Sequence, residues 1–199
     1  MKNMSNIGTE NIKYKEYLNE IPINTIRNWG SLLQKSLPWE YVGWSGEPKE
    51  PYRHWACYPE FDRDLKLVWD TINFSFKEDG FNLKPDRIIG NLFSHGDSCW
   101  LHQDCKSDTA WTAILYLNDT WDLNWGGETI LVENNEILKA FAPTPGKIIL
   151  FKSNMVHGPR PVSREAPFPR FGLTFQCESD KDLQRFSTLE VSSVSTTKL

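Results

Sequence analysis

The chain of 199 residues is sparing with the residue types that most readily announce a function. It has four cysteines, Cys57, Cys99, Cys105 and Cys177, and they make no CxxC pair and no zinc-ribbon spacing. A disulfide scaffold or structural zinc site is therefore not expected. The cysteines read as small buried hydrophobes in a reducing, cytoplasmic compartment. No apolar run approaches the length of a membrane span, so no membrane partner is expected. The start, Met1 to Tyr14, lacks the apolar core of a signal peptide. Neither sign of charge dominates. A formal net charge of -4 gives no general attraction to nucleic acid or anionic lipid, and no nucleic-acid partner is expected.

What the chain does have is a globular composition, 39% hydrophobic and 24% charged, and nine tryptophans. The bland reading of so many large aromatics is core packing, and the sharper one is an aromatic-lined cleft. The length suits one domain with an N-terminal elaboration. Two helices are expected early. In one, Ile26, Trp29, Leu33 and Leu37 recur at three- and four-residue steps up to Pro38. In the other, Phe61, Leu65, Val68, Trp69, Ile72 and Phe76 form a stripe that stops near Gly80. Between them, Trp44 to Tyr58 reads as an irregular loop.

From Arg87 the texture changes to short apolar runs separated by turn signals. Strands are expected at Arg87–Phe93, Cys99–Gln103, Ala110–Leu117, Glu128–Val132, Ile137–Ala142, Lys147–Phe151, Met155–Val162 and Arg170–Gln176. Asn118-Asp119, Gly126-Gly127, Asn134-Asn135 and Pro145-Gly146 mark turns between several of them. The expected fold is mainly β with N-terminal helices, a jelly roll (double-stranded β-helix) whose sheet is covered by supporting α-helices. The expected division is a helical and loop region over 1–85, the jelly-roll core over 86–178 and a loosely ordered, Ser/Thr-rich tail over 179–199.

The chemistry starts at His102-Gln103-Asp104. On a strand, residues two apart share a face, so an imidazole and a carboxylate can converge on one ion. His157 is the single histidine downstream and the candidate third ligand. Two His and one carboxylate leave coordination positions open, the arrangement of non-haem iron(II) oxygenases, although zinc accepts the same donors. A second copy of the pattern, His95-Gly96-Asp97, has a central glycine and reads as a turn whose side chains need not share a face.

The surroundings add to this. After His102-Gln103-Asp104 come Trp111-Thr112-Ala113-Ile114-Leu115-Tyr116-Leu117-Asn118, Trp121 and Gly126-Gly127-Glu128-Thr129. Pro145-Gly146-Lys147-Ile148-Ile149-Leu150-Phe151, His157-Gly158 and Arg170-Phe171-Gly172-Leu173-Thr174-Phe175 follow. From about Ile89 to Gln176 the series resembles the prolyl-hydroxylase-like branch of the 2-oxoglutarate/Fe(II) oxygenases. The resemblance implies a dioxygenase that uses Fe(II), 2-oxoglutarate and O2, with His102, Asp104 and His157 on the metal. It implies that Arg170 holds the distal carboxylate of 2-oxoglutarate, a match of planar fork to carboxylate. Arg160 and Arg164 are its competitors. Tyr116 is implied as a hydrogen-bond partner of that carboxylate, with Thr174 as a further hydroxyl donor and Asn91 as a polar contact. Phe93 stands where the family often has Tyr. Asp104 argues against halogenase chemistry, which needs a small residue there.

Hydroxylation with release of succinate and CO2 is the expected outcome, and desaturation or cyclisation shares the same start. The alternative is a cupin-like metal-binding jelly roll without 2-oxoglutarate, which has no need of Arg170. The expected partner is a small-molecule or peptide substrate. Tyr52-Arg53-His54-Trp55, with Trp39 and Trp44, is the candidate cleft lining, and His54 itself reads as a surface or packing histidine.

Overall fold

A computed structural model of the chain describes residues 12–42, 53–97 and 99–179. The Ser/Thr-rich tail from residue 180 and most of the aromatic loop, including Trp44 and Tyr52, lie outside the described residues. In chain order the elements are β1 (Tyr14–Tyr17), α1 (Ile23–Ser36), β2 (Glu40–Val42), β3 (His54–Cys57), α2 (Arg63–Glu78), β4 (Leu83–Phe93) and β5 (Ala110–Tyr116). They continue with β6 (Thr129–Glu133), β7 (Glu136–Phe141), β8 (Ile148–Lys152), β9 (Val156–Pro159) and β10 (Arg170–Ser179). Two antiparallel sheets result. The larger runs β1-β8-β5-β10-β4-β3-β2 and the smaller runs β7-β6-β9. This is the expected mainly-β architecture with two supporting helices.

The central strands are buried on both faces, which is why they read as near-continuous apolar runs. Alternate residues of β5 serve different cores. Trp111, Ala113, Leu115 and the following Leu117 join Ile26 and Leu33 of α1 and Leu65, Val68, Trp69, Ile72 and Phe76 of α2. Ile114 and Tyr116 face the other way, with Leu131, Phe141, Ile149 and Phe151, and form a second cluster between the sheets. The helices thus brace the back of the large sheet, and its front faces the small one.

Each helix has a local cause. The Asp62 carboxylate accepts a 2.9 Å hydrogen bond from Leu65 N, capping α2, and Gly80 at φ 82° follows its end. Phe61, expected in the apolar stripe, precedes the helix and is exposed. In α1 a Cβ on Gly30 would lie 2.3 Å from the Leu117 carbonyl oxygen, so the glycine lets the helix press onto the sheet.

Three strands were not expected, β1, β2 and β3. β1 extends the large sheet beyond β8, and β3 pairs with β4 through Trp55 and Leu92, Ala56 and Asn91, and Cys57 and Gly90. The reading of Trp44 to Tyr58 as irregular loop is therefore corrected at His54–Cys57. β4 also begins earlier than Arg87. Pro85 is accommodated where the register with β10 shifts between Gln176 and Cys177, a bulge that places Pro85 without a ladder donor. The expected strand at Cys99–Gln103 is not regular. Only His102 pairs, in an isolated antiparallel bridge to His157.

Candidate metal centre

That isolated bridge builds the site. His102 N donates to the His157 carbonyl and His157 N to the His102 carbonyl, each at 2.9 Å, so the two imidazoles are cross-strand neighbours. Asp104 N donates to the Ser153 carbonyl at 3.0 Å, tying the carboxylate to the turn before β9. One ligand-capable atom from each of His102, Asp104 and His157 lies within 4.8 Å of the other two. His102 Nε2 is 3.4 Å from Asp104 Oδ1, and His157 Nε2 is 3.6 Å from Asp104 Oδ2.

The orientation of the rings is set from behind. His102 Nδ1 lies 2.8 Å from the Trp100 carbonyl oxygen and His157 Nδ1 lies 3.0 Å from that of Met155. A carbonyl only accepts, so each Nδ1 carries the proton and each Nε2 is left to face an ion. Thr112 Oγ1 donates to Asp104 Oδ2 at 2.6 Å and lies 2.9 Å from Ser153 Oγ.

Without an ion His102 and Asp104 share a proton. Burial opposes the charge of His102, but hydrogen bonds to Asp104, Cys99 and the Trp100 carbonyl outweigh it and hold its pKa up at about 10. Burial raises Asp104, yet the hydrogen bond from His102, the charge of His157 and the Thr112 hydroxyl leave it below the usual carboxylate range. Burial keeps His157 low and neutral. A divalent cation would take the place of the shared proton.

The triad opens onto a cavity of about 420 Å3 between the sheets. At its inner end Arg170 is 3% exposed, and its Nε has no hydrogen-bond partner among the described residues. No carboxylate among the described residues lies within ion-pair distance of it. Arg170 Nη2 donates to Thr129 Oγ1 at 2.7 Å, and the Tyr116 hydroxyl donates to the same oxygen at 2.7 Å. The guanidinium also sits over the rings of Tyr116 and Phe93, at 5.0 and 5.5 Å from their centroids. A buried cation with an orphaned donor and no acid partner is costly unless an anion joins it. Two nitrogens and a carboxylate for a metal, with such a guanidinium in the same cavity, fit Fe(II) and a dicarboxylate cosubstrate.

Every expected site residue lines this cavity or adjoins it. Asn91 Nδ2 donates to Thr174 Oγ1 at 3.3 Å, and Asn91 Oδ1 is 3.1 Å from His54 Nε2. Of the two readings of His54, surface or packing, the structure shows packing: it is buried and stacks on Phe93 with centroids 4.4 Å apart. Arg160 and Arg164 are exposed, which leaves Arg170 as the buried arginine. His95-Gly96-Asp97 is a turn, with Gly96 at φ 88° and the Asp97 carboxylate accepting from Ser94 N at 2.7 Å, and takes no part in the triad.

Sequence reasoning passed over Thr129. Its signal was its place directly after Gly126-Gly127-Glu128, where a Cβ on Gly127 would lie 3.2 Å from Arg170 Cδ. Of the proposed cleft aromatics, Trp39 instead packs on Phe171 and Trp55 is exposed against Tyr41.

Comparison with known proteins agrees with this geometry. Residues 88–176 match the family described as the 2OG-Fe(II) oxygenase superfamily. No curated protein sequence matches the chain. Among solved structures, a prolyl-4-hydroxylase from Pseudomonas putida superposes with a TM-score of 0.66 at 15% identity, over 86% of this chain and 95% of the other. A prolyl hydroxylase from Trichoplax adhaerens, solved with a hypoxia inducible factor peptide fragment, gives 0.66 at 14% identity, over 89% and 88%. HygX from Streptomyces hygroscopicus, solved with nickel and 2-oxoglutarate, gives 0.63 at 13% identity, over 87% and 85%.

Proposed function

Starting from the premise that residues 88–176 are a 2OG-Fe(II) oxygenase domain, and the chain a 2-oxoglutarate-dependent dioxygenase, we propose that it hydroxylates an unactivated C–H bond of a small molecule, amino acid or peptide residue. In this reading His102 Nε2, His157 Nε2 and the Asp104 carboxylate hold Fe(II). When bound, Fe(II) with 2-oxoglutarate supplies the reductive activation of O2, the cosubstrate leaving as succinate and CO2 while one oxygen atom enters the substrate.

The protein's own part is placement and charge. Arg170 receives the distal carboxylate of 2-oxoglutarate, the observation that carries the reading being its burial without an acid partner among the described residues. Thr129 Oγ1 already accepts from Arg170 and from Tyr116, so its own hydroxyl hydrogen is left to donate to that carboxylate. Tyr116 then acts through Thr129. Thr174 accepts from Asn91 in the same way, leaving its hydrogen for a ligand in the cavity. The aliphatic and aromatic walls, Ile89, Phe93 and Ile114 among them, keep water from the reacting atoms.

The test is conversion of 2-oxoglutarate to succinate by the purified protein with Fe(II) and O2. Succinate forms with the wild type and falls to background in His102→Ala. Succinate formation that persists unchanged in that variant removes His102 from the metal.

A further inference from the structure

The cavity has a second arginine. Arg170 lies at the buried end; Arg87 lies at the exposed end, with its guanidinium 4.8 Å from the centroid of the Tyr58 ring. Tyr58 is 56% exposed, so this aromatic is spent at the mouth rather than in a core. Among the described residues Arg87 makes no side-chain hydrogen bond and no ion pair, and Gln176 makes no side-chain hydrogen bond. A guanidinium resting on a ring keeps the donors of its edge free and pre-oriented.

The register places this cluster relative to the metal ligands. Gln176 of β10 pairs with Arg87 on β4 and with Thr112 on β5. Thr112 is the residue whose hydroxyl holds Asp104. Thr112, Gln176 and Arg87 thus form one row across the sheet, with Arg87 two strands, about 10 Å, from Thr112. Arg170 is six residues from Gln176 along β10, roughly 20 Å at the usual strand rise. Arg87 therefore lies two strand spacings from the residue that holds Asp104, and Arg170 lies far along β10 from that row. The distal carboxylate of a single short dicarboxylate is claimed by the buried one. The Arg87 and Gln176 donors, which line the same cavity, are left for a molecule that enters from the mouth.

We propose that Arg87, seated on Tyr58 and flanked by Gln176, binds a carboxylate of the substrate, so that the oxidised molecule is an acid of the size of an amino acid or the C-terminus of a short peptide. This rests on the oxygenase reading above. Two donors from Arg87 and the Gln176 amide meet the two oxygens and leave the rest of the substrate to lie over the metal ligands.

The experiment pairs each common free amino acid, and a short peptide ending in it, with the matching carboxamide. Binding is read calorimetrically with protein loaded with Ni(II) and 2-oxoglutarate, and turnover is read as succinate formed above the substrate-free rate with Fe(II). At least one acid binds and stimulates while its amide does not. Arg87→Gln raises the KM for that acid about tenfold to a hundredfold, as loss of a charge-assisted pair does, and Arg87→Lys recovers part of it. Lys84→Gln, which removes an exposed charge from the same strand outside the cavity, leaves that KM in place. Four results overturn the proposal: amides that match their acids, an Arg87→Gln protein with unchanged KM for the acid, an Arg87→Gln effect that falls on the KM for 2-oxoglutarate instead, or no acid that binds or stimulates. Failure of the oxygenase reading is distinct, since the wild type would then make no succinate even without substrate.

Discussion

The threonine at position 129 is a small residue with two demanding neighbours. Replacing it with valine keeps the shape and leaves Arg170 Nη2 and the Tyr116 hydroxyl without their shared acceptor. An unsatisfied buried donor costs about 1–3 kcal/mol, so Thr129→Val lowers stability by roughly that amount in denaturant melts. The loss is smaller with 2-oxoglutarate present, because its carboxylate supplies acceptors, and the KM for 2-oxoglutarate rises about tenfold. Equal destabilisation with and without the cosubstrate would separate Thr129 from the carboxylate. His54 makes a prediction in pH. Burial lowers its pKa, so the folded state binds fewer protons than the unfolded one near and below the unperturbed value of about 6.5. Its neutral form therefore contributes stability that is complete above that value and lost as pH falls through it. Chemical denaturation at a series of pH values should show a shallower loss on the acid side in His54→Gln than in the wild type.

The residues of the triad were legible in the sequence because metal chemistry restricts donors to a few types, and only His157 was available downstream. Arg170 stood out from its place at the head of an alternating run; it is buried, whereas Arg160 and Arg164 are exposed. Thr129 was not, because a hydroxyl has no sequence pattern of its own; its role comes from two partners 13 and 41 residues away. Arg87 was hidden for the same reason, since Tyr58 and Gln176 reach it only through the sheet register.

Among elements, the long strands and both helices follow from periodicity, and the short pieces do not. β3 has four residues, His54 to Cys57, in a stretch rich in tryptophan, proline and glycine, and pairing with β4 rather than local preference makes it a strand. The segment around His102 went the other way. Its apolar and aromatic character suggested a strand, but the Trp100 carbonyl turns toward His102 Nδ1 and only one bridge forms. The hairpin between β6 and β7 was read correctly from Asn134-Asn135, which take φ of 53° and 64° as a tight turn of this kind requires. α2 supplies the test at this scale. Asp62→Ala removes the cap on Leu65 N and should cost about 0.5–2 kcal/mol in thermal or chemical melts, while Asp62→Asn retains most of it. No loss in the alanine variant would mean that the packing of Trp69, Ile72 and Phe76 alone fixes the start of the helix.

At the scale of the molecule, one sheet serves two cores. Its back carries the helices, and its front, facing the small sheet, carries the cavity. Leu115 is fully buried on the back and adjoins Ile114 and Tyr116 on the front. Leu115→Ala should lose about 2–5 kcal/mol through transfer and cavity terms, measured by denaturant unfolding, and through that loss loosen the wall that carries the site. Among the described residues no helix is long and apolar enough to cross a membrane. The fold as a whole brings His102 and Asp104, from the irregular segment after β4, to His157 on β9, and sets Arg170 at the start of β10 in the same cavity.

That convergence carries the central proposal: one cavity would hold Fe(II) on His102, Asp104 and His157, and 2-oxoglutarate on Arg170. It is tested most directly by adding Fe(II) and 2-oxoglutarate to the protein without oxygen and recording the weak visible charge-transfer band of the chelate. The wild type should give the band. His102→Ala should lose it, and Arg170→Ala should need a much higher concentration of 2-oxoglutarate to reach the same intensity. No band in the wild type, or an undiminished band in Arg170→Ala at low 2-oxoglutarate, would contradict it.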